Sequence, residues 1–181
     1  MQTLSRRPGV KLFSLNENYR NGSNILNFAR RIIVKTGLTD DSIPIREISG
    51  FVHEEPLSYK FILDEVNGAY PCYNNCAVLC RTNAQLDDLA AIFASQKIPY
   101  ESFKQGDLTA QELKDKMANN TIKLLTIHSS KGLEWKKVIV VGARMYNDDE
   151  CNVAYVAATR ARDKLIWMRP RARQKKKDFG F

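Results

Sequence analysis

The chain contains no run of the form G-x-x-x-x-G-K-[ST], the loop whose backbone amides cradle nucleotide phosphates, and its Lys131-Gly132 pair stands in the reverse order. No stretch approaches the roughly 18 apolar residues that a membrane span needs. Met1–Val10 lacks the apolar core of a secretion signal, so a cytoplasmic protein is the expectation. The four cysteines, Cys72, Cys76, Cys80 and Cys151, include no CxxC pair. Cys76 and Cys80 bracket the apolar run CAVLC, which reads as a buried strand. Reduced, packing cysteines are therefore expected in place of a metal site. There is no Ser-His-Asp or Cys-His set, no internal repeat, no linker that would split the chain, and no low-complexity segment apart from a basic tail.

The 181 residues suit one ordinary domain, and 44% apolar content is enough for a real core. Lys and Arg number 28 against 20 Asp and Glu, a net charge of +8. Such a balance favours polyanionic partners, because bound cations release counterions condensed on phosphates. Part of the excess lies in Arg169, Arg171, Arg173 and Lys175–Lys177, a run that ordinarily forms a solvated end. Residues 1–168 are read as one domain and 169–181 as a basic C-terminal tail.

Lys11–Leu15 reads as a short strand. Ile25, Phe28, Ala29, Ile32 and Ile33 recur at helical spacing over Ser23–Thr36, with Gly37 as a cap. Ile43–Val52 is extended, since Pro44 and Gly50 oppose a helix there. Pro56–Asn67 is predicted helical and ends at Gly68 and Pro71. The CAVLC strand is followed by a helix over Asn83–Lys97 with Leu86, Leu89, Ala90 and Phe93 on one face. Thr109 with Glu112 forms a capping box, which starts a helix near Ala110. Ile122–His128 and Lys137–Gly142 are continuous apolar runs, as parallel strands covered on both faces require. Val153–Arg162 is predicted helical and Lys164–Met168 a last strand. Strands alternating with helices give an α/β parallel sheet flanked by helices.

Four segments in fixed order carry a family resemblance. They are Leu15-Asn-Glu-Asn-Tyr-Arg20, Ala77-Val-Leu-Cys-Arg-Thr-Asn-Ala-Gln85, Ile122-Lys-Leu-Leu-Thr-Ile-His-Ser-Ser-Lys-Gly-Leu-Glu-Trp135 with Val138–Val141, and Ala154-Tyr-Val-Ala-Ala-Thr-Arg-Ala161. Together they resemble motif IV, the RTNAQ segment, and motifs V and VI of UvrD/Rep/PcrA-type superfamily 1 DNA helicases. Ile98-Pro-Tyr100 also falls where that family has it. The resemblance implies the second, C-terminal RecA-like domain of a motor of the P-loop NTPase type, without its own P-loop.

In such motors one domain cradles the phosphates of ATP and the other supplies cations that face the γ-phosphate. An arginine placed there stabilises the charge that develops on the transferring oxygens and is worth about 10³–10⁵ in rate in well-studied NTPases. The resemblance assigns that position to Arg160, with Arg20 as a second cation. It gives Glu134 to the ribose hydroxyls, Gly132 to a close backbone approach to phosphate, and Tyr19 to stacking near the base. Half-buried packing beside Arg20 is the alternative for Tyr19. Thr126 and His128, at the carboxyl end of a strand, and Arg81, Thr82 and Asn83, after CAVLC, are implied contacts to single-stranded DNA that position phosphates without reading bases. Asn83 has helix capping as an equal alternative.

The chain departs from the family pattern in three places. Glu150-Cys-Asn-Val replaces Glu-Arg-Arg-Leu before the motif VI tyrosine, and Trp135 replaces a phenylalanine. About twenty residues separate Tyr100 from Thr121, where the family carries a large helical insertion. That insertion is absent or reduced to the Thr109–Ala118 helix. No strand ends in a magnesium-binding Asp-Glu pair, and Asp148-Asp149-Glu150 reads as a solvated loop and helix start.

These features imply half of an ATP-dependent DNA helicase, inactive alone. Its partners would be single-stranded DNA and an N-terminal P-loop RecA-like domain of the same or another chain. ATP with Mg2+ would bind between the halves, the metal held mainly by the P-loop half, with 3′–5′ movement implied. A fragment of a longer protein or one chain of a split enzyme is expected. The alternative is a non-catalytic nucleic-acid-binding or partner-recruiting module.

Overall fold

The computed structural model describes residues 16–104 and 110–170. The expected strand Lys11–Leu15, the Thr109 cap and the tail beyond Pro170 lie outside the described residues. Six strands form one parallel sheet in the order β3-β8-β7-β4-β6-β5. They are β3 (Phe51–Pro56), β4 (Cys76–Cys80), β5 (Tyr100–Phe103), β6 (Ile122–Thr126), β7 (Trp135–Val141) and β8 (Ala161–Arg169). A separate parallel pair, β1 (Glu17–Asn18) and β2 (Ile43–Pro44), stands outside that sheet. The helices are α1 (Ser23–Ile33), α2 (Tyr59–Asn67), α3 (Asn83–Ser95), α4 (Ala110–Ala118) and α5 (Asp148–Ala158).

The apolar runs explain the layering. Successive strand residues point to opposite faces, so a run buried at every position feeds two cores. Ala77, Leu79, Val138, Val140, Leu165 and Trp167 pack with α1 and α5. Cys76, Val78, Cys80, Ile139, Val141 and Ile166 pack with α2 and α3. Burial pushes the Cys76 and Cys80 thiols up to about 12, so both are inert packing groups. Six residues of α1 are buried, from Ile25 to Ile33. Each full burial of such a side chain is worth roughly 1.5–3 kcal/mol, which explains why this helix forms without a side-chain cap at Gly22.

The one charged residue in the β6 run, Lys123, is fully buried. Its ammonium donates to Glu101 Oε2 at 3.0 Å, Thr121 Oγ1 at 2.7 Å, and the carbonyls of Lys116 and Asn119 at 2.6 and 2.8 Å. Lys123 thereby ties the end of α4 to the sheet. In the described residues, α4 is the helix that stands between β5 and β6.

Several boundaries differ from expectation. The last helix starts at Asp148, not Val153, because the Asn147 side chain accepts from the Glu150 amide and caps it. It stops at Ala158, so Arg162 belongs to a strand and not to the helix. Tyr100–Phe103 is a strand that mixed polarity hides, since it lies at the sheet edge. The helix expected from Pro56 begins at Tyr59, capped by Ser58.

Candidate functional site

The parallel sheet puts the singled-out residues at two opposite edges. Glu134 directly precedes β7 and Arg160 directly precedes β8, so both sit at the amino edge of the sheet. Arg81–Asn83 follow β4 and His128 follows β6, at the carboxyl edge. Helix α5 runs back from β7 to β8 and so joins the two edges.

At the amino edge, three distant segments meet. Asn21, buried, donates from Nδ2 to the carbonyls of Thr159 and Ala161 at 3.0 and 2.6 Å. The Gly22 amide donates to the Arg162 carbonyl at 3.0 Å. Gly22 is required there, since a Cβ would lie 2.5 Å from the Ser49 carbonyl oxygen. The Asn18 side chain accepts from the amides of Arg20 and Asn21, at 3.0 and 2.9 Å, which shapes the loop carrying Arg20. Arg20 then pairs with Glu134 at 2.5 Å, and Arg162 approaches the other oxygen of the same carboxylate at 3.5 Å. Exposed pairs of this kind contribute only about 0–1 kcal/mol, so they open readily.

Arg160 is 9% exposed. Its guanidinium donates to the carbonyls of Val156 and Leu133, both at 3.1 Å, and to Thr159 Oγ1 at 3.3 Å. Those bonds use three of its five N–H groups and leave two. Burial, then the neighbouring charge of Arg20, lower its pKa, while Glu134 raises it. An arginine remains cationic through such shifts. The side chain is thus held rigidly and charged, with donors to spare.

Glu17, Asn18, Tyr19, Arg20, Ser42 and Glu134 line a cleft of about 440 Å³. Tyr19 is 63% exposed and its hydroxyl bonds Glu17. The half-buried packing considered for it is not what the structure shows; the side chain is exposed. Gly132 has φ +85° with open space around its α-carbon, a backbone shape that other residues adopt only under strain. Among the described residues, no group of three or more His, Cys, Asp or Glu side chains could hold a metal ion. No helix among them is long and apolar enough to cross a membrane.

At the carboxyl edge the polar groups are mostly spent on one another. Arg81 donates from Nε to both Glu150 oxygens, at 3.2 and 3.0 Å, and from Nη2 to Oε1 at 2.6 Å. Glu150, expected in a solvated loop and helix start, lies in the first turn of α5 as expected but is buried. The pairing holds its carboxyl below the ordinary range, with Arg144 and His128 adding to the effect. Thr82, not Asn83, caps α3, in a reciprocal pair with Gln85. Thr126 is buried, and its hydroxyl accepts from the Ser129 amide at 3.2 Å. Asn83 and His128 are exposed.

Sequence reasoning missed Asn21, Arg46, Glu150 and Arg162. A loop and helix start at Asp148-Asp149-Glu150 is read from sequence, but the burial of Glu150 and the end of that helix at Ala158, which leaves Arg162 in β8, are not. Arg46 donates to the carbonyls of Arg20 and Arg162, both at 2.9 Å, and pairs with Asp163 at 2.7 Å. No local pattern announces it.

The parallel six-stranded sheet flanked by helices is the RecA-like fold of a helicase C-terminal domain. The chain belongs to the UvrD-like helicase C-terminal domain family, whose profile matches residues 13–118 and 101–169. The C-terminal domain of a possible DNA helicase from Lactobacillus plantarum WCFS1 has a similar fold. It superposes with a TM-score of 0.60 and 17% identity over 83% of this chain and 86% of that one. Gabija protein GajB from Bacillus cereus (strain VD045) is 46% identical over 46 residues, 24% of this chain. The match spans only 9% of that protein's length.

Proposed function

We propose that this domain is half of an ATP-dependent DNA helicase and completes the ATP site against a P-loop domain. The observation that carries the reading is a cleft lined by Arg20, Glu134 and an exposed tyrosine, with Arg160 held against the Leu133 carbonyl directly beside Glu134, although these residues are far apart in sequence. The donor set fits a nucleoside triphosphate: cations for phosphate, a carboxylate for ribose hydroxyls, and a ring for the base.

ATP with Mg2+ supplies the transferable phosphoryl group and partial charge neutralisation, the metal held mainly by the P-loop domain. Arg160 stabilises the charge that develops on the γ-phosphate oxygens, and its fixed guanidinium needs no reorganisation to do so. Arg20 is the second phosphate cation. Glu134 accepts from the ribose hydroxyls, Tyr19 stacks on the base, and Gly132 lets the backbone approach the phosphates. At the carboxyl edge His128 and Asn83 contact the backbone of single-stranded DNA. Arg81, Thr82 and Thr126 shape that surface and add what donors remain. Helix α5 links the two edges, and movement is 3′–5′.

The test combines this chain with its P-loop partner domain. Hydrolysis is expected only with both halves present, rising with single-stranded DNA, and duplexes with 3′ tails should be unwound in preference to those with 5′ tails. Equal hydrolysis by the P-loop domain without this chain would contradict the reading and favour a non-catalytic DNA-binding module.

A further inference from the structure

We propose that Arg162 is a third phosphate-binding guanidinium of the cleft and that Glu134 is a displaceable counter-ion, standing where phosphate oxygens go. This rests on the nucleotide reading of the same cleft and names the groups that exchange there.

Arg20 and Arg162 approach the two oxygens of one carboxylate, Glu134, at 2.5 and 3.5 Å. Arg160 feels both Arg20 and Glu134. Three guanidiniums against two carboxylates, Glu134 and the cleft-lining Glu17, leave one positive charge uncompensated there. Arg46, close by, is matched by Asp163 at 2.7 Å and does not change the count.

Hydrogen bonding gives a second, independent sign. The Nε of Arg162 is buried with no acceptor. Buried donors are almost always satisfied, and one that is not calls for an explanation. The backbone beneath it is held by two donors, the Gly22 amide and Arg46, so the residue cannot drift away to satisfy itself.

The Arg20 and Glu134 side chains are 42% and 36% exposed, so water and ligands reach their pair. An entering polyphosphate offers planar sets of oxygens that match guanidinium forks better than a single shared carboxylate does. Arg20 and Arg162 turn to the phosphate, and the freed Glu134 carboxylate turns to the ribose hydroxyls. The guanidiniums then gain the acceptors they lack before binding, and Glu134 keeps a partner in both states. A bare polyphosphate must displace Glu134 and gains nothing from it. A nucleotide displaces Glu134 and re-uses it.

The experiment titrates the 181-residue chain with inorganic tripolyphosphate and with ATP at low salt, following affinity by calorimetry and by chemical shifts. Arg162→Ala is compared with Lys114→Ala, an exposed lysine on α4 whose removal changes net charge equally. Arg162→Ala should weaken tripolyphosphate and ATP about threefold to tenfold, and Lys114→Ala much less. Arg162→Lys, which keeps charge but loses the fork, should fall between wild type and Arg162→Ala. Glu134→Gln should tighten tripolyphosphate about threefold to tenfold while narrowing the preference for ATP over it. Equal effects of Arg162→Ala and Lys114→Ala overturn the proposal. So does weaker tripolyphosphate binding by Glu134→Gln, or no saturable binding by the wild type. If Arg162 proves inert while Arg20→Ala weakens ATP, only this inference fails. If Arg162 binds tripolyphosphate but ATP has no advantage over it, the nucleotide reading fails instead.

Discussion

The two ends of α5 hold arginines in opposite conditions. At its start, Arg81 is locked to buried Glu150 by three hydrogen bonds. Just past its end, Arg160 keeps two N–H groups unspent beside Arg20, with a single carboxylate between several cations. A cluster whose charges cancel holds shape. A cluster whose charges do not cancel is stabilised by a ligand of opposite sign. The two motifs look equally functional in sequence, and the partner count is what separates them.

That contrast predicts an ordered series of stability changes. Glu150→Ala should cost about 2–3 kcal/mol in urea unfolding, at or below the usual range for breaking a buried pair because Arg81 is partly exposed and water recovers some of the loss. A loss under about 0.5 kcal/mol would break the comparison, since surface changes fall in that range. The same pair sets an acid limit. The Glu150 carboxyl is held below its ordinary 4.5, first by its hydrogen bond from Arg81, so its contribution is complete above that value and fades as pH falls through the folded pKa. Glu150→Gln should flatten the acid limb of stability measured between pH 3 and 7, and an unchanged limb would remove the pair from the account. Thr82→Ala should cost about 1 kcal/mol through loss of the α3 cap. Smallest is Arg20→Ala, below about 1 kcal/mol, because its pair is exposed. If Arg20→Ala destabilised the fold more than Glu150→Ala, the assignment of one end to shape and the other to ligand would be reversed.

The periodicity of the chain made the central sheet legible. CAVLC, IKLLT and the β7 run are buried at nearly every position, and only strands with helices on both faces use such runs. The edge strand β5 was not legible, because half-exposed pairing leaves mixed polarity. The residue types around the cleft were readable from the motif arrangement, and the structure brings Arg20, Glu134 and Arg160 near one another. Their scaffold was not readable. Asn21 and Arg46 act by donating to carbonyls more than 100 residues away, and such pairings leave no local pattern. The α5 boundary was misjudged by five residues at its start, because apolar spacing begins at Val153 while the cap sits at Asn147. Glu150 leaves solvent through its pairing with Arg81, and Arg162 lies in β8 because the helix stops at Ala158.

The most direct test of the motor reading is single-turnover ATP hydrolysis with single-stranded DNA, using this domain with its P-loop partner, wild type against Arg160→Ala. The account predicts a rate loss of about a hundredfold or more with ATP binding retained. Hydrolysis at the wild-type rate would contradict it.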